Sequence, residues 1–265
     1  MTIAGSAAAR RIERVLPLLV GVLAFGIWEA LVRWFAIPPY LLPGPLLVAE
    51  TLWRDGRSLL AALAVTLQVT GSALVLATVV GFTLAFALAR FRWLERSVYP
   101  YLVALQVTPI VAIAPLILIW IDDVFLAQVI CAAIVALFPI VANTSLGLAS
   151  AEKDLLDLFR LYRASPWQTL CLLRLPTALP HILGGVRISG GLALIGAVVA
   201  EFVAGTGGSD TGLATRILEA GYRLEVPRMF AALLLLALTG VLLHSALGWL
   251  SRWLLRWRDG SANDV

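Results

Sequence analysis

The 265-residue sequence predicts an all-α fold, a polytopic membrane helical bundle of about six transmembrane helices. Hydrophobic residues make up 61% of the chain and charged residues only 14%, and the mean hydropathy of +0.94 is far outside the range of water-soluble domains. The longest apolar runs reach the ~20 residues that a helix needs to cross ~30 Å of hydrocarbon. These runs do not alternate between apolar and polar residues as strands do, so helices are the expected spanning elements.

The apolar runs are interrupted by polar and proline-rich stretches that divide the chain into spans. The stretch IPPYLLPGP after the first run cannot continue a helix. A short amphipathic piece over residues 46–53 is expected before the second span. The six predicted spans cover residues 15–35, 59–89, 99–121, 125–148, 182–204 and 229–250.

Basic residues are distributed unevenly over the predicted loops. If the N-terminus is cytoplasmic, most of the twenty lysines and arginines lie at or near the cytoplasmic side. This bias agrees with the positive-inside rule and predicts that both termini are cytoplasmic. The net charge of +4 is therefore a signal of topology, and no nucleic-acid partner is expected.

One polar segment, residues 150–180, separates the fourth and fifth predicted spans. Its first half carries apolar residues at helical spacing, Leu155, Leu158, Phe159 and Tyr162, among charged residues. This pattern predicts one short amphipathic surface helix.

A second helix start follows within the same segment. Ser165 can cap a helix, Pro166 suits the first helical position, and Gln168 stands where it can complete a capping box. We expect this helix to end at Pro176 and Pro180. Two short helices joined by a tight turn would form a rigid cytoplasmic projection built for docking, and the alternative is an ordinary solvated loop.

The run DLLDLFRLYRASPWQTLCLLRLPTALPHILGGVRIS resembles the cytoplasmic loop of ABC importer permeases. That loop usually reads Glu-Ala-Ala, three residues, Gly, and later Leu-Pro. Here residues 157–159 stand at Glu-Ala-Ala, Arg163 stands at the glycine, and Leu175 with Pro176 stands at Leu-Pro. The similarity extends from about residue 42 through the last span, and it is closest to the nitrate, sulfonate and taurine branch.

The resemblance implies a type I ABC importer permease fold, with one permease domain over residues 1–265 and residues 150–180 as its coupling segment. It also implies a multi-pass protein of the bacterial inner membrane, surrounded by lipid and paired with a second copy of itself. Further implied partners are ATP-binding-cassette ATPase subunits and an extracytoplasmic substrate-binding protein. The residues expected to dock an ATPase are Asp157, Arg160, Arg163, Ala164, Ser165, Pro166 and Trp167.

The branch resemblance suggests nitrate, taurine or an alkanesulfonate as the solute. A pyrimidine or a riboflavin-type vitamin precursor is the main alternative for the same permease role. An ion-coupled secondary carrier would instead need inverted repeats and paired intramembrane charges, and neither is evident in the sequence.

The sequence predicts no catalytic residue, cofactor or metal site. Its single lysine, Lys153, is followed by Asp154 and lacks the glycine-rich loop of an ATP site, so ATP hydrolysis is expected on a separate subunit. His181 and His244 are the only histidines, and they lie in distant spans. The cluster GTGGSDTG at residues 205–212 lacks dinucleotide-binding spacing and is interpreted as an extracytoplasmic turn.

Spans three to five contain the candidate translocation path. Prolines inside a span free backbone carbonyls, which are tolerated only beside protein or a water-filled path. The two intramembrane glutamates, Glu29 and Glu201, either serve such a function or simply reach interfacial water. Glycines in the fifth span predict close helix packing. The path candidates are Gln106, Thr108, Pro109, Asn143 and Glu201.

Overall fold

A computed structural model describes residues 7–205 and 211–256, and these residues form helices with no strand among them. The all-α prediction is therefore confirmed. The helices, in chain order, are α1 (Ala7–Trp34), α2 (Pro45–Arg90), α3 (Arg92–Val107), α4 (Ile110–Trp120), α5 (Val124–Ala149), α6 (Lys153–Leu161), α7 (Pro166–Thr169), a π turn (Leu170–Arg174), α8 (Leu175–Ala204), α9 (Leu213–Tyr222) and α10 (Val226–Leu254).

Long apolar helices supply the membrane spans. Within the described part of the chain, four are long and apolar enough to cross a bilayer: Pro45–Arg90, Val124–Ala149, Pro166–Ala204 and Val226–Leu254. The bent pair α3 and α4 supplies a fifth span if it is counted as one. The predicted first span falls almost wholly within α1, so the expectation of about six transmembrane helices agrees with the fold.

The separate amphipathic piece predicted over residues 46–53 is wrong. α2 runs without interruption from Pro45 to Arg90, and a Cβ added at Gly56, which lies within it, would meet nothing within 4 Å. The Glu29 carboxylate accepts a hydrogen bond of 3.2 Å from the Leu46 backbone N–H, which satisfies a donor at the start of this helix. The helix can therefore begin directly after the proline-rich stretch.

The predicted third span is not one straight helix. α3 and α4 are bent by 101° at a break over Thr108 and Pro109. Thr108 has an extended backbone, with φ −73° and ψ 126°, because a residue before proline disfavours the helical region. Pro109 then serves as the N-cap residue of α4.

The second helix of the coupling segment does not end at Pro176 or Pro180. The chain from Pro166 to Ala204 is one helix of 39 residues with a π turn inside it. Within that turn the Leu175 N–H bonds to the Leu170 carbonyl, five residues back. This wider pairing lets the helix pass through Pro176, whose missing N–H would break the regular pattern.

The described residues divide into two compact units. The first lies within Met1–Leu60 and Arg216–Leu234, and the second lies within Ala61–Thr215 and Leu235–Val265. In the first unit the Trp28 and Phe230 rings pack 5.9 Å apart, centroid to centroid.

In the second unit α5 and α8 pack closely through small residues. A Cβ added at Gly196 would lie 2.7 Å from the Ala132 Cα, and one at Gly185 would lie 2.9 Å from the Asn143 Cβ. Ser189 also donates a hydrogen bond of 2.7 Å to the Ala136 carbonyl across this contact. The close packing predicted from the glycines of the fifth span is therefore present.

Candidate coupling surface and translocation path

The coupling segment begins with α6, which ends in a Schellman motif. The Arg163 N–H bonds to the Arg160 carbonyl and the Ala164 N–H bonds to the Phe159 carbonyl, both at 2.9 Å. Arg163 has φ +52°, the left-handed conformation in which this motif usually has glycine. Arg163 stands where the resemblance predicts glycine, and its backbone adopts the left-handed conformation that glycine favours.

The predicted capping box at the next helix start is present. The Ser165 hydroxyl accepts a hydrogen bond of 3.2 Å from the Gln168 N–H, and the Gln168 side-chain oxygen accepts one of 2.7 Å from the Ser165 N–H. Pro166 occupies the first turn, as predicted. Two adjoining caps therefore fix the turn between α6 and α7.

The coupling segment presents a largely exposed surface. No residue of α6 is buried, although the helix is strongly amphipathic. Leu161, Tyr162 and Trp167 are exposed at 82%, 80% and 72%. Six of the seven predicted docking residues are exposed, and only Ala164 is half-buried. An apolar face that this chain leaves uncovered is typical of a protein-binding surface.

The charged residues of the segment are of both signs, but the cavity beside it has a basic lining. Asp157 accepts a hydrogen bond of 2.8 Å from Arg160 in an exposed ion pair, which contributes little to stability. A cavity of about 260 Å³ lies between the segment and the end of α2, and its charged lining residues are three arginines, Arg90, Arg160 and Arg174. This cavity suits an acidic or phosphate-bearing group.

Two of the predicted path residues share one cavity at the break between α3 and α4. Gln106 and Thr108 line a space of about 260 Å³ together with Pro139 of α5. Asn143 lies one turn after Pro139 and donates a hydrogen bond of 2.8 Å to its carbonyl. Pro109 forms the break itself, so these path candidates belong to one region.

Glu201, the last path candidate, has a different environment. Its side chain is fully buried, and its Oε2 accepts a hydrogen bond of 3.0 Å from the Ala214 N–H. The neighbouring N–H of Leu213 bonds to the Thr66 hydroxyl at 2.8 Å. The alternative that Glu201 reaches interfacial water is wrong, because α2 and the start of α9 cover it.

Glu29 also has a structural partner. Its carboxylate pairs with Arg33 at 2.6 Å besides accepting from Leu46, and a Cβ at Gly44 would come within 2.6 Å of it. Both glutamates of the predicted spans thus bond to backbone N–H groups at helix starts. Of the GTGGSDTG cluster, Gly205 ends α8 with φ +56°, and residues 206–210 lie outside the described residues.

A further cavity was not predicted from the sequence. We call it the glutamine pocket. It measures about 580 Å³ and is lined by Ala61, Ala64, Val65, Gln68, Val124, Phe125, Gln128, Ala204, Thr211, Gly212 and Thr215. Single amide side chains inside apolar spans were the signal that could have revealed it, since polar groups in a bilayer need partners.

A bundle of membrane-crossing helices with a broken span and an exposed helical projection defines a polytopic membrane protein. The chain belongs to the family of binding-protein-dependent transport system inner membrane components, whose family profile matches residues 77–256. The resemblance to ABC importer permeases is thereby confirmed, and the protein is an inner-membrane transport component.

Several named relatives are similar along most of the chain. The riboflavin transport system permease protein RibX of Chloroflexus aurantiacus is 37% identical over 238 residues, which are 87% of this chain and 85% of the relative. The formylaminopyrimidine transport permease protein ThiX of Halalkalibacterium halodurans is 32% identical over 250 residues, covering 94% and 98%. The putative aliphatic sulfonates transport permease protein SsuC of Bacillus subtilis is 27% identical over 245 residues, covering 91% and 87%.

A solved structure supports the fold. A crystal structure of an amino acid ABC transporter with histidines matches with a TM-score of 0.62 and 16% identity, covering 77% of this chain and 97% of that chain. At this identity the match shows the fold alone. It agrees with the predicted ABC importer permease fold.

Proposed function

We propose that this chain forms the translocation path of an ABC importer by docking ATPase subunits at its coupling segment and pairing with a second copy of itself. In this proposal both termini are cytoplasmic and a binding protein delivers the solute from the opposite side. The main supporting observation is the exposed apolar surface around Leu161, Tyr162 and Trp167, next to a turn that two caps hold rigid.

The continuity of the helix from Pro166 to Ala204 supports a mechanism for this coupling. When ATP brings the two ATPase subunits together, each coupling segment moves with its ATPase. The same helix crosses the membrane, so the movement reaches α8 without passing through a loop. α8 is packed against α5 through Gly185 and Gly196, which lets the shift pass to the wall of the cavity at the α3–α4 break.

The relatives favour a vitamin-type solute for this permease. The riboflavin and formylaminopyrimidine permeases, at 37% and 32% identity, are more similar to this chain than the Bacillus subtilis sulfonate permease, at 27% over a comparable length. We therefore propose a pyrimidine or a riboflavin-type vitamin precursor as the solute class. Nitrate, taurine or an alkanesulfonate is the second candidate, which the sulfonate relative supports.

Site-directed crosslinking tests the docking surface. The free cysteines, Cys131 and Cys171, are first replaced by Ala and Ser. Single cysteines at Arg163 and Trp167 are then expected to capture the ATPase subunit in membranes that contain the whole transporter. The matched control is a cysteine at Phe91, an exposed residue in the break after α2. Capture from Phe91 alone would contradict the assignment.

A further inference from the structure

The glutamine pocket has the size and lining of a small-molecule site. Its volume of about 580 Å³ falls within the ~300–1,000 Å³ that such sites occupy. Its residues come from α2, α5, the end of α8 and the segment entering α9. All of the lining side chains are uncharged, so the pocket combines apolar walls with two amides and two hydroxyls.

The two amides of the pocket lack protein partners. Neither Gln68 nor Gln128 has a hydrogen-bond partner among the described residues. Gln128 is half-buried near the start of α5, and Gln68 is exposed on the apolar helix α2. Each carboxamide offers a donor and an acceptor side by side. Since polar groups are costly inside a bilayer unless they are bonded, these amides are placed to bond a molecule in the pocket.

The pocket is poorly suited to an anion, although the N-terminus of α9 lies beside it. A helix start normally attracts anions through its free N–H groups. Here the Leu213 N–H already bonds to Thr66 and the Ala214 N–H already bonds to Glu201. The Glu201 carboxyl also lies directly against Gly212, which is one wall of the pocket. No cationic side chain lines the pocket either, so a sulfonate or nitrate would find no positive partner among these residues.

We propose that the glutamine pocket binds the transported solute, and that this solute is an uncharged heterocycle with adjacent donor and acceptor atoms on one edge. The carboxamides of Gln68 and Gln128 bond that edge, and the Phe125 ring with the neighbouring alanine and valine side chains covers the apolar part. The proposal rests on the proposed function, because it locates within this chain a site for the solute of that importer.

The test uses the complete transporter, reconstituted in vesicles with its ATPase and its binding protein. The probes are riboflavin, a formylaminopyrimidine and ethanesulfonate. Gln128→Leu and Gln68→Leu are each expected to lower uptake of the heterocycle about tenfold, the effect of losing one to two hydrogen bonds. The thermal unfolding midpoint is expected to stay unchanged. Gln128→Asn, which keeps the carboxamide, is expected to restore part of the uptake.

Ser72→Ala is the matched control, because Ser72 is exposed one turn further along α2 and does not line the pocket. Wild-type uptake of the heterocycle by both leucine variants would contradict the assignment of the glutamine pocket as the solute site. Uptake of ethanesulfonate and of neither heterocycle by the wild type would overturn the solute class and leave the permease role intact. The proposed function is tested separately by the crosslinking experiment, and it fails if cysteines at Arg163 and Trp167 do not capture the ATPase subunit.

Discussion

The Oε2 atom of Glu201 accepts a hydrogen bond of 3.0 Å from the backbone N–H of Ala214, which ties the end of α8 to the start of α9. Thr66 adds a second bond, from the Leu213 N–H to its hydroxyl, so that α2 joins the same contact. These two acceptors satisfy N–H groups that the first turn of any helix leaves unpaired. The role of Glu201 in this contact is to accept a hydrogen bond.

Glu201→Gln is expected to keep the fold, because the amide oxygen can accept the same bond from Ala214. Glu201→Ala is expected to destabilise the chain by about 1–3 kcal/mol, since a buried N–H is left unpaired. The measurement is the thermal unfolding midpoint of the purified chain in detergent. Thr66→Val removes the neighbouring acceptor and should cause a similar loss. A Gln variant as unstable as the Ala variant would mean that the ionised carboxylate is required.

Arg163→Gly is expected to stabilise the turn after α6 by about 1 kcal/mol, because glycine adopts φ +52° without the strain of a Cβ. Transport is expected to be retained, because glycine keeps the backbone turn that positions the coupling segment. Arg163→Ala is the matched control, since it removes the same side chain but keeps the Cβ. If the Gly and Ala variants lose transport equally, the guanidinium itself is needed. Unfolding and uptake are measured on the same preparations.

Ser165→Ala removes one half of the capping box and is expected to cost about 1 kcal/mol of local helix stability. The variant should insert normally but couple ATP hydrolysis to transport poorly. Gln168→Ala, which removes the other half, should behave alike. Asp157→Ala breaks an exposed ion pair beside the same surface and is also expected to weaken coupling. The measurement is the amount of solute transported per ATP hydrolysed. Wild-type values in all three variants would contradict a coupling role for the segment.

Gly185→Ala is expected to destabilise the α5–α8 contact, because its Cβ would lie 2.9 Å from the Asn143 Cβ and 3.0 Å from the Pro139 carbonyl oxygen. Overpacking of this kind typically costs about 1–3 kcal/mol. Gly184→Ala is the control, since a Cβ there meets nothing within 4 Å. The two variants differ by one position along the same helix, so equal unfolding midpoints would show that α5 and α8 are not tightly packed there.

The purified chain is expected neither to bind nor to hydrolyse ATP, because its one lysine, Lys153, is followed by Asp154 and is not preceded by a phosphate-binding loop. Equilibrium binding of a fluorescent ATP analogue measures this directly. Stoichiometric, saturable binding by the isolated chain would contradict a separate ATPase partner.

Local features of the coupling segment could be predicted from the sequence, because neighbouring residues determine them. The capping box of Ser165 and Gln168 is such a feature. The π turn before Pro176 was missed, because proline usually ends a helix and only the wider pairing around Leu170 permits continuation. The break at Pro109 was missed because the sequence predicted one span over residues 99–121. A proline within a span is compatible with a slight kink as well as with the 101° bend that the structure has.

Partners distant in sequence could not be predicted at all. Glu201 bonds to Ala214, 13 positions further along the chain, and Thr66 reaches Leu213 from another helix 147 positions away. Gln68 and Gln128 share a pocket only because α2 and α5 meet there. Apolar periodicity predicts that these helices exist but carries no information about which of their faces meet.

The π turn at Leu170–Arg174 also sets the angular phase between the two parts of one helix. Each residue of an α-helix advances the direction of its side chain by about 100°. If all five of these residues formed a plain α-helix instead, Trp167 would turn round the helix axis relative to α8, because each residue of a π turn advances by a smaller angle. Both the capping box and the membrane-crossing part would keep their own structure. The direction of the Trp167 surface relative to α8 is therefore set by the wide hydrogen-bond pairing of this turn as well as by the side chains on that surface.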